Sequence, residues 1–158
     1  MSDFIFYKVD QESDIPYELL LLADETREAI DQYIFKSDIY ILHDNLRDIA
    51  VMALYKNNDA ELEIKNMAVI SDFRSQGIGT FLIDRAKEIA KQNHFSSLLV
   101  GTSDTGFQQI RFYEKNDFVK KEIRKDFFIE NYSTPIFENG IQMRDMIVLE
   151  FLIHHFSE

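Results

Sequence analysis

The chain has no cysteine. That excludes disulfide frameworks, zinc–thiolate centres and thiol nucleophiles. Five glycines and two prolines among 158 residues leave no room for a low-complexity linker. No apolar run approaches the roughly 18 residues that a membrane-spanning helix needs. The first residues, Met1-Ser2-Asp3-Phe4, are acidic rather than basic and lead into no apolar core of the signal type. The default expectation is a cytoplasmic protein with no membrane partner. Positive charge is scarce too: 17 lysines and arginines stand against 28 acidic residues, a formal net charge of −11. A field of that sign repels polyphosphates, so nucleic acid is not an expected partner, and it favours a cationic one. The same acidity also serves plain solubility.

Apolar material is plentiful. Hydrophobic residues make up 46% of the chain, with 14 Phe and 7 Tyr, enough for a sizeable core. The length suits one domain, residues 1–158, and no boundary or internal repeat interrupts it. The aromatic and β-branched run at 4–9 reads as a strand. Helical spacing follows from Pro16 to about Phe35, with Asp14 as a cap and a break near Asp24. Strands are expected at 38–43, 48–56 and 61–69, close enough in sequence to form an antiparallel meander. A helix over 77–92 and a strand over 96–101 continue the pattern. Strand, helix and strand there form a crossover, so the strands flanking that helix should run parallel. A helix at 105–116, a strand at 118–128, a long connection through Tyr132, Pro135 and Gly140, and a strand at 143–153 complete the reading. The expected fold class is α/β, a mixed sheet with helices on both faces.

One segment carries chemistry. Residues 63–69 form a strand that runs into the polar loop 71–75, and the loop opens a helix at Gly77-Ile78-Gly79-Thr80. Free N–H groups at a helix start, with the helix dipole behind them, make an anion site. Glycine lets the backbone approach a ligand closely. Arg74 stands at the mouth and can bond phosphate oxygens in a fork. A Walker loop needs a Lys-Ser/Thr pair after its second glycine, and Thr80-Phe81 does not supply one. The dinucleotide fingerprint needs a third glycine, and Leu82 stands there. What remains is Arg74-x-x-Gly77-x-Gly79 after a strand, followed later by Phe112-Tyr113-Glu114-Lys115-Asn116-Asp117-Phe118.

With both motifs in this order, the chain resembles the GNAT family of acetyl-CoA-dependent N-acetyltransferases across roughly residues 38–130. The tail, through Tyr132, Pro135 and Gly140, is similar to that of small bacterial members. One departure is Asp117, where the family usually has glycine; Asp is among the residues that tolerate the left-handed helix-ending conformation. The resemblance implies the GNAT fold, with a central, mostly antiparallel twisted sheet. It implies acetyl-CoA as co-substrate and direct transfer to an amine, with no metal. It further implies that Arg74, Ser75, Gln76, Gly77, Ile78, Gly79 and Thr80 hold the pyrophosphate, and that backbone groups of Met67, Ala68 and Val69 pair with the pantetheine arm. Asp104 stands where many members contact that arm, although an N-cap role would explain it too. Tyr113 takes the place of the general acid, and Glu63 that of a carboxylate base.

Direct transfer requires a neutral amine, a donor at the oxyanion and a proton for the leaving thiolate. None of these needs a protein thiol. His154-His155 is a poor metal chelate, because neighbours on a strand point to opposite faces. The acceptor is expected to be a small-molecule or peptide amine. The first third carries Asp10, Glu12, Asp14, Glu18, Asp24, Glu25, Glu28 and Asp31 against Lys8 and Arg27. That balance suits a cationic acceptor, and equally an acidic face turned to solvent. The connection 132–140 suits a lid or a homodimer contact. The alternative to an enzyme is a module that binds and senses acetyl-CoA without turnover.

Overall fold

The computed structural model describes residues 3–154. In chain order the elements are β1 (Ile5–Lys8), α1 (Tyr17–Leu20), α2 (Arg27–Asp31), β2 (Ser37–His43), β3 (Asp48–Lys56) and β4 (Glu61–Val69). Then follow α3 (Ile78–Gln92), β5 (Ser97–Ser103), α4 (Phe107–Lys115), β6 (Val119–Arg124) and α5 (Phe127–Asn131). A small hairpin, β7 (Phe137–Glu138) with β8 (Ile141–Gln142), precedes β9 (Met146–Leu152).

The large sheet has the order β1-β2-β3-β4-β5-β9-β6. Every neighbouring pair is antiparallel except β4 and β5, which the α3 crossover makes parallel. The central strand β3 is apolar along nearly its whole length because both of its faces are covered. On one face α3 buries Ile78, Leu82, Ile83, Ala86 and Ala90, and α4 adds Ile110 and Tyr113. On the other, Leu19 and Leu20 of α1 and Ile30 of α2 pack with Ile39, Ile41 and Val51. Each fully buried Leu or Ile contributes roughly 1.5–3 kcal/mol.

Both long helices end in the same way. Asp117 takes φ +73°, with its N–H on the Glu114 carbonyl and the Phe118 N–H on the Tyr113 carbonyl. His94 takes φ +64°, with its N–H on Lys91 and that of Phe95 on Ala90. These are paired left-handed caps that satisfy the last carbonyls and turn the chain into the next strand.

Several expected boundaries change. The helical stretch from Pro16 does divide near Asp24 as expected, but into two helices of only four and five residues. Its start at Pro16 has no side-chain cap, whereas Thr26 caps α2 through the Ala29 N–H at 3.1 Å. Asp14 lies in a separate helical turn upstream. The strand expected over 118–128 stops at Arg124, because Asp126 takes φ +54° and its N–H is held by Asp145 Oδ1 at 2.9 Å. The chain then coils into α5.

Candidate active site

β4 opens the sheet. Its pairing with β3 runs Met52↔Met67, Ala53↔Asn66 and then Leu54↔Ile64, so Lys65 is an extra residue, a β-bulge. Its parallel pairing with β5 ends at the same place, with Ile64↔Val100 as the last rung. Beyond it the two strands separate, and β5 pairs on through Gly101, Thr102 and Ser103 with β9 alone. A cavity of about 750 Å³ fills the gap.

The cavity reaches both faces of the sheet. Toward α3 and α4 it is lined by Arg74, Gly79, Phe112 and Tyr113; toward α1 it is lined by residues 21–25 and Asn66. Phe137, Glu138 and Met143 form another part of the wall. A second cleft of about 880 Å³, between α2 and residues 130–137, shares Glu25 and Phe137 with the first.

The loop after β4 presents a backbone cradle. Gly77 sits at the start of α3 with φ +82°, and nothing lies within 4 Å of where its side chain would be. The first hydrogen bond of α3 runs from the Phe81 N–H to the Gly77 carbonyl, so the Ile78, Gly79 and Thr80 N–H groups precede the helical ladder. Gly79 is needed for space: a Cβ there would meet Phe112 Cζ at 3.0 Å. Arg74 Nε donates to the Val69 carbonyl at 3.2 Å, which anchors the exposed guanidinium beside the end of β4. Gln76 Nε2 donates to the Asp72 carbonyl at 3.2 Å, and Ser75 takes φ +63°. Of the residues expected to hold the coenzyme, Met67, Ala68, Val69, Arg74 and Gly79 line the cavity. The Ile78 side chain instead faces the core.

Tyr113 is buried among Phe112 and Phe118 and lines the cavity. Its hydroxyl has no hydrogen-bond partner among the described residues. Burial pushes its pKa up to about 12, so the phenol keeps its proton throughout the physiological range.

Two expected residues lie elsewhere. Glu63 projects from the other side of the bulge and is buried off the cavity wall. Its Oε1 accepts from Asn57 Nδ2 at 2.9 Å and lies 3.7 Å from Arg124, and its Oε2 meets Lys65 Nζ at 3.2 Å. Two cations and an amide thus engage this carboxylate away from the cavity. Lys65, which Glu63 fixes, does reach the cavity wall. Asp104 is likewise off the wall: its Oδ1 accepts from the Arg144 N–H at 3.2 Å, and its own N–H donates to the Asp145 carbonyl at 2.9 Å. The N-cap of α4 is Gly106, with no side-chain bond, so the capping alternative for Asp104 does not hold either.

Sequence reasoning passed over Asn66 and Glu138. Glu138 Oε1 accepts from Thr105 Oγ1 at 2.8 Å and Ser103 Oγ at 3.3 Å, which ties the small hairpin to the end of β5. No local signal marks it, since it stands in a short irregular connection. Asn66 did carry a signal, as a polar residue between the buried positions of an apolar strand. Among the described residues no cluster of metal-ligand side chains occurs, and His155 lies outside them.

The comparisons agree with this geometry. The family model described as an acetyltransferase (GNAT) domain matches residues 36–120. The uncharacterized N-acetyltransferase YvbK of Bacillus subtilis is 34% identical over 140 residues, covering 89% of this chain and 90% of that protein. A GNAT family acetyltransferase from Elizabethkingia anophelis, solved with acetyl-CoA bound, superimposes with a TM-score of 0.91 at 38% identity, covering 96% of this chain and 99% of that one. A Bacillus subtilis acetyltransferase solved with CoA gives a TM-score of 0.86 at 31% identity, covering 96% and 99%. A strand pair that parts over a helix start, with these relatives, defines the class: the chain belongs to the GNAT family. It is an acetyl-CoA-dependent N-acetyltransferase.

Proposed function

We propose that the protein transfers the acetyl group of acetyl-CoA directly to the primary amine of a cationic acceptor through the gap between β4 and β5. The observation that carries this reading is the two-sided cavity. Arg74, Gly79 and Tyr113 line its α3–α4 side, and the acidic residues Asp24 and Glu25 line its α1 side. A ligand anion suits the first end and a ligand cation the second.

In this reading the N–H groups of residues 77–80 and the Arg74 guanidinium bind the pyrophosphate. The backbone edge of Met67, Ala68 and Val69, released from β5, pairs with the pantetheine arm and polarises the thioester carbonyl. The acceptor enters from the α1 side as a neutral amine. Its nitrogen forms the new C–N bond and gives up one proton to water. The C–S bond breaks, its electron pair goes to sulfur, and the Tyr113 phenol supplies the proton that sulfur takes. An unpartnered phenol on the cavity wall supports turnover over mere sensing of acetyl-CoA. In this reading Glu63 holds Lys65 in place through the 3.2 Å ion pair.

The test is release of free CoA thiol from acetyl-CoA with a panel of spermidine, an aminoglycoside and a lysine-containing peptide, against neutral-bodied amines of the same size. Acetylated product from the cationic members supports the reading. Intact acetyl-CoA binding with turnover of the neutral-bodied amines alone contradicts the charge argument.

A further inference from the structure

Asn66 is 4% exposed, and its Oδ1, an atom shut off from solvent, has no hydrogen-bond partner among the described residues. The amide cannot be turned around to remedy this. Its Nδ2 donates to the Leu20 carbonyl at 2.9 Å, and a carbonyl accepts only a donor. The other Nδ2 proton goes to Tyr33 Oη at 3.0 Å, Tyr33 donates to Asp24 Oδ2 at 3.0 Å, and Tyr132 donates to Asp24 Oδ1 at 2.7 Å. The whole amide nitrogen is committed toward α1. A lone buried acceptor is costly and is rarely left without a use.

Two further facts point to that use. Asn66 belongs to the wall of the cavity, directly after the bulge where β4 parts from β5. And the chain of hydrogen bonds ends on a carboxylate. Each donation toward Asp24 draws electron density along the chain and makes the Asn66 carbonyl a stronger acceptor. A strong, buried, unpaired acceptor on the acceptor side of the cavity suits an N–H donor.

We infer that Asn66 Oδ1 is the group that receives an N–H of the acceptor's attacking nitrogen, with Leu20, Tyr33 and Asp24 as the residues that position it. This rests on the acetyl-transfer reading above. Accepting one N–H aims the nitrogen lone pair away from Asn66, toward the thioester carbon held along the freed edge of β4. The site then favours a primary or secondary amine over a tertiary amine of similar shape, which has no N–H to give.

The experiment needs no known acceptor. Two thioether analogues of CoA are prepared whose sulfur carries CH2–CO–NH–CH3 or CH2–CO–CH2–CH3. They differ by one N–H at the place of the new amide. Calorimetric titration of the wild-type protein is expected to give about tenfold tighter binding of the amide analogue. In Asn66→Ala that ratio should collapse to near one, whereas a merely structural role for Asn66 would weaken both analogues alike and leave the ratio standing. Tyr33→Phe keeps the Asn66 bond to Leu20 and should lower the ratio about two- to threefold; it carries the test should Asn66→Ala not fold. A wild-type ratio of one, or a ratio unchanged in the variants, overturns the inference. Binding of neither analogue instead removes the coenzyme site, and the inference falls with it.

Discussion

The position where Gly79 would carry a Cβ lies 3.0 Å from Phe112 Cζ, so the first turn of α3 and the face of α4 touch at the cavity wall. The two glycines of the loop therefore act by different means. Gly79→Ala should lose stability by overpacking, about 1–3 kcal/mol, and should shift Phe112 and its neighbour Tyr113. Gly77→Ala meets no atom within 4 Å and should cost roughly 1–2 kcal/mol through its φ of +82° alone. Urea unfolding gives the first comparison. The kcat of the two variants gives the second, with the larger fall expected for Gly79→Ala.

Tyr113→Phe removes one hydroxyl that has no hydrogen-bond partner among the described residues. Acetyl-CoA affinity should stay within a factor of about three, since no hydrogen bond within the fold is lost. The value of kcat should fall by roughly 10²–10⁴ if the phenol is the proton donor. Titration calorimetry and steady-state rates separate the two.

The same phenol gives a pH signature. Its folded-state pKa is raised by burial to about 12, above the ordinary value near 10. The folded protein thus holds this proton more tightly than the unfolded chain, and stability should decline as pH climbs from about 10 toward 12. Tyr113→Phe should flatten part of that decline, as measured by urea midpoints at several alkaline pH values. An identical alkaline slope in wild type and variant would contradict a buried, neutral Tyr113. Tyr33 and Tyr132, both raised chiefly by burial and further by Asp24, add to the same slope.

Glu63 offers a contrast between positioning and proton transfer. Glu63→Gln keeps an acceptor for Asn57 but leaves Lys65 without its carboxylate and Arg124 with Glu122 alone. Loss of one partner from a buried ionic group costs on the order of 3–5 kcal/mol, and the partial exposure of Lys65 and Arg124 brings the expectation toward the lower end. The pH dependence of kcat/KM should keep its shape. Loss of an acid-side inflection in Glu63→Gln would instead make Glu63 the base.

Much of this architecture was legible because apolar periodicity decides it. The three strands of the meander and α3 fall within one residue of the spacing-based reading, as each buries a full face. The turn from Arg74 through Gly79 into α3 was legible because its glycine signals are local. The bulge at Lys65 was not, since register depends on the partner strand, and it is the bulge that puts Glu63 off the cavity wall and Asn66 on it. In the first helical region the break near Asp24 was legible but its cause was not: the Asp24 side chain is drawn to Tyr33 and Tyr132, 9 and 108 residues away. Glu138 reaches Ser103 and Thr105 across 35 and 33 residues, a contact that only the folded chain creates.

The most direct measurement of the central claim is a calorimetric titration of the purified protein with acetyl-CoA, beside ATP and NAD, in wild type and Arg74→Ala. Selective binding of acetyl-CoA, weakened about tenfold or more by Arg74→Ala, is the result this account predicts. No acetyl-CoA binding, or tighter binding of ATP or NAD, would contradict it.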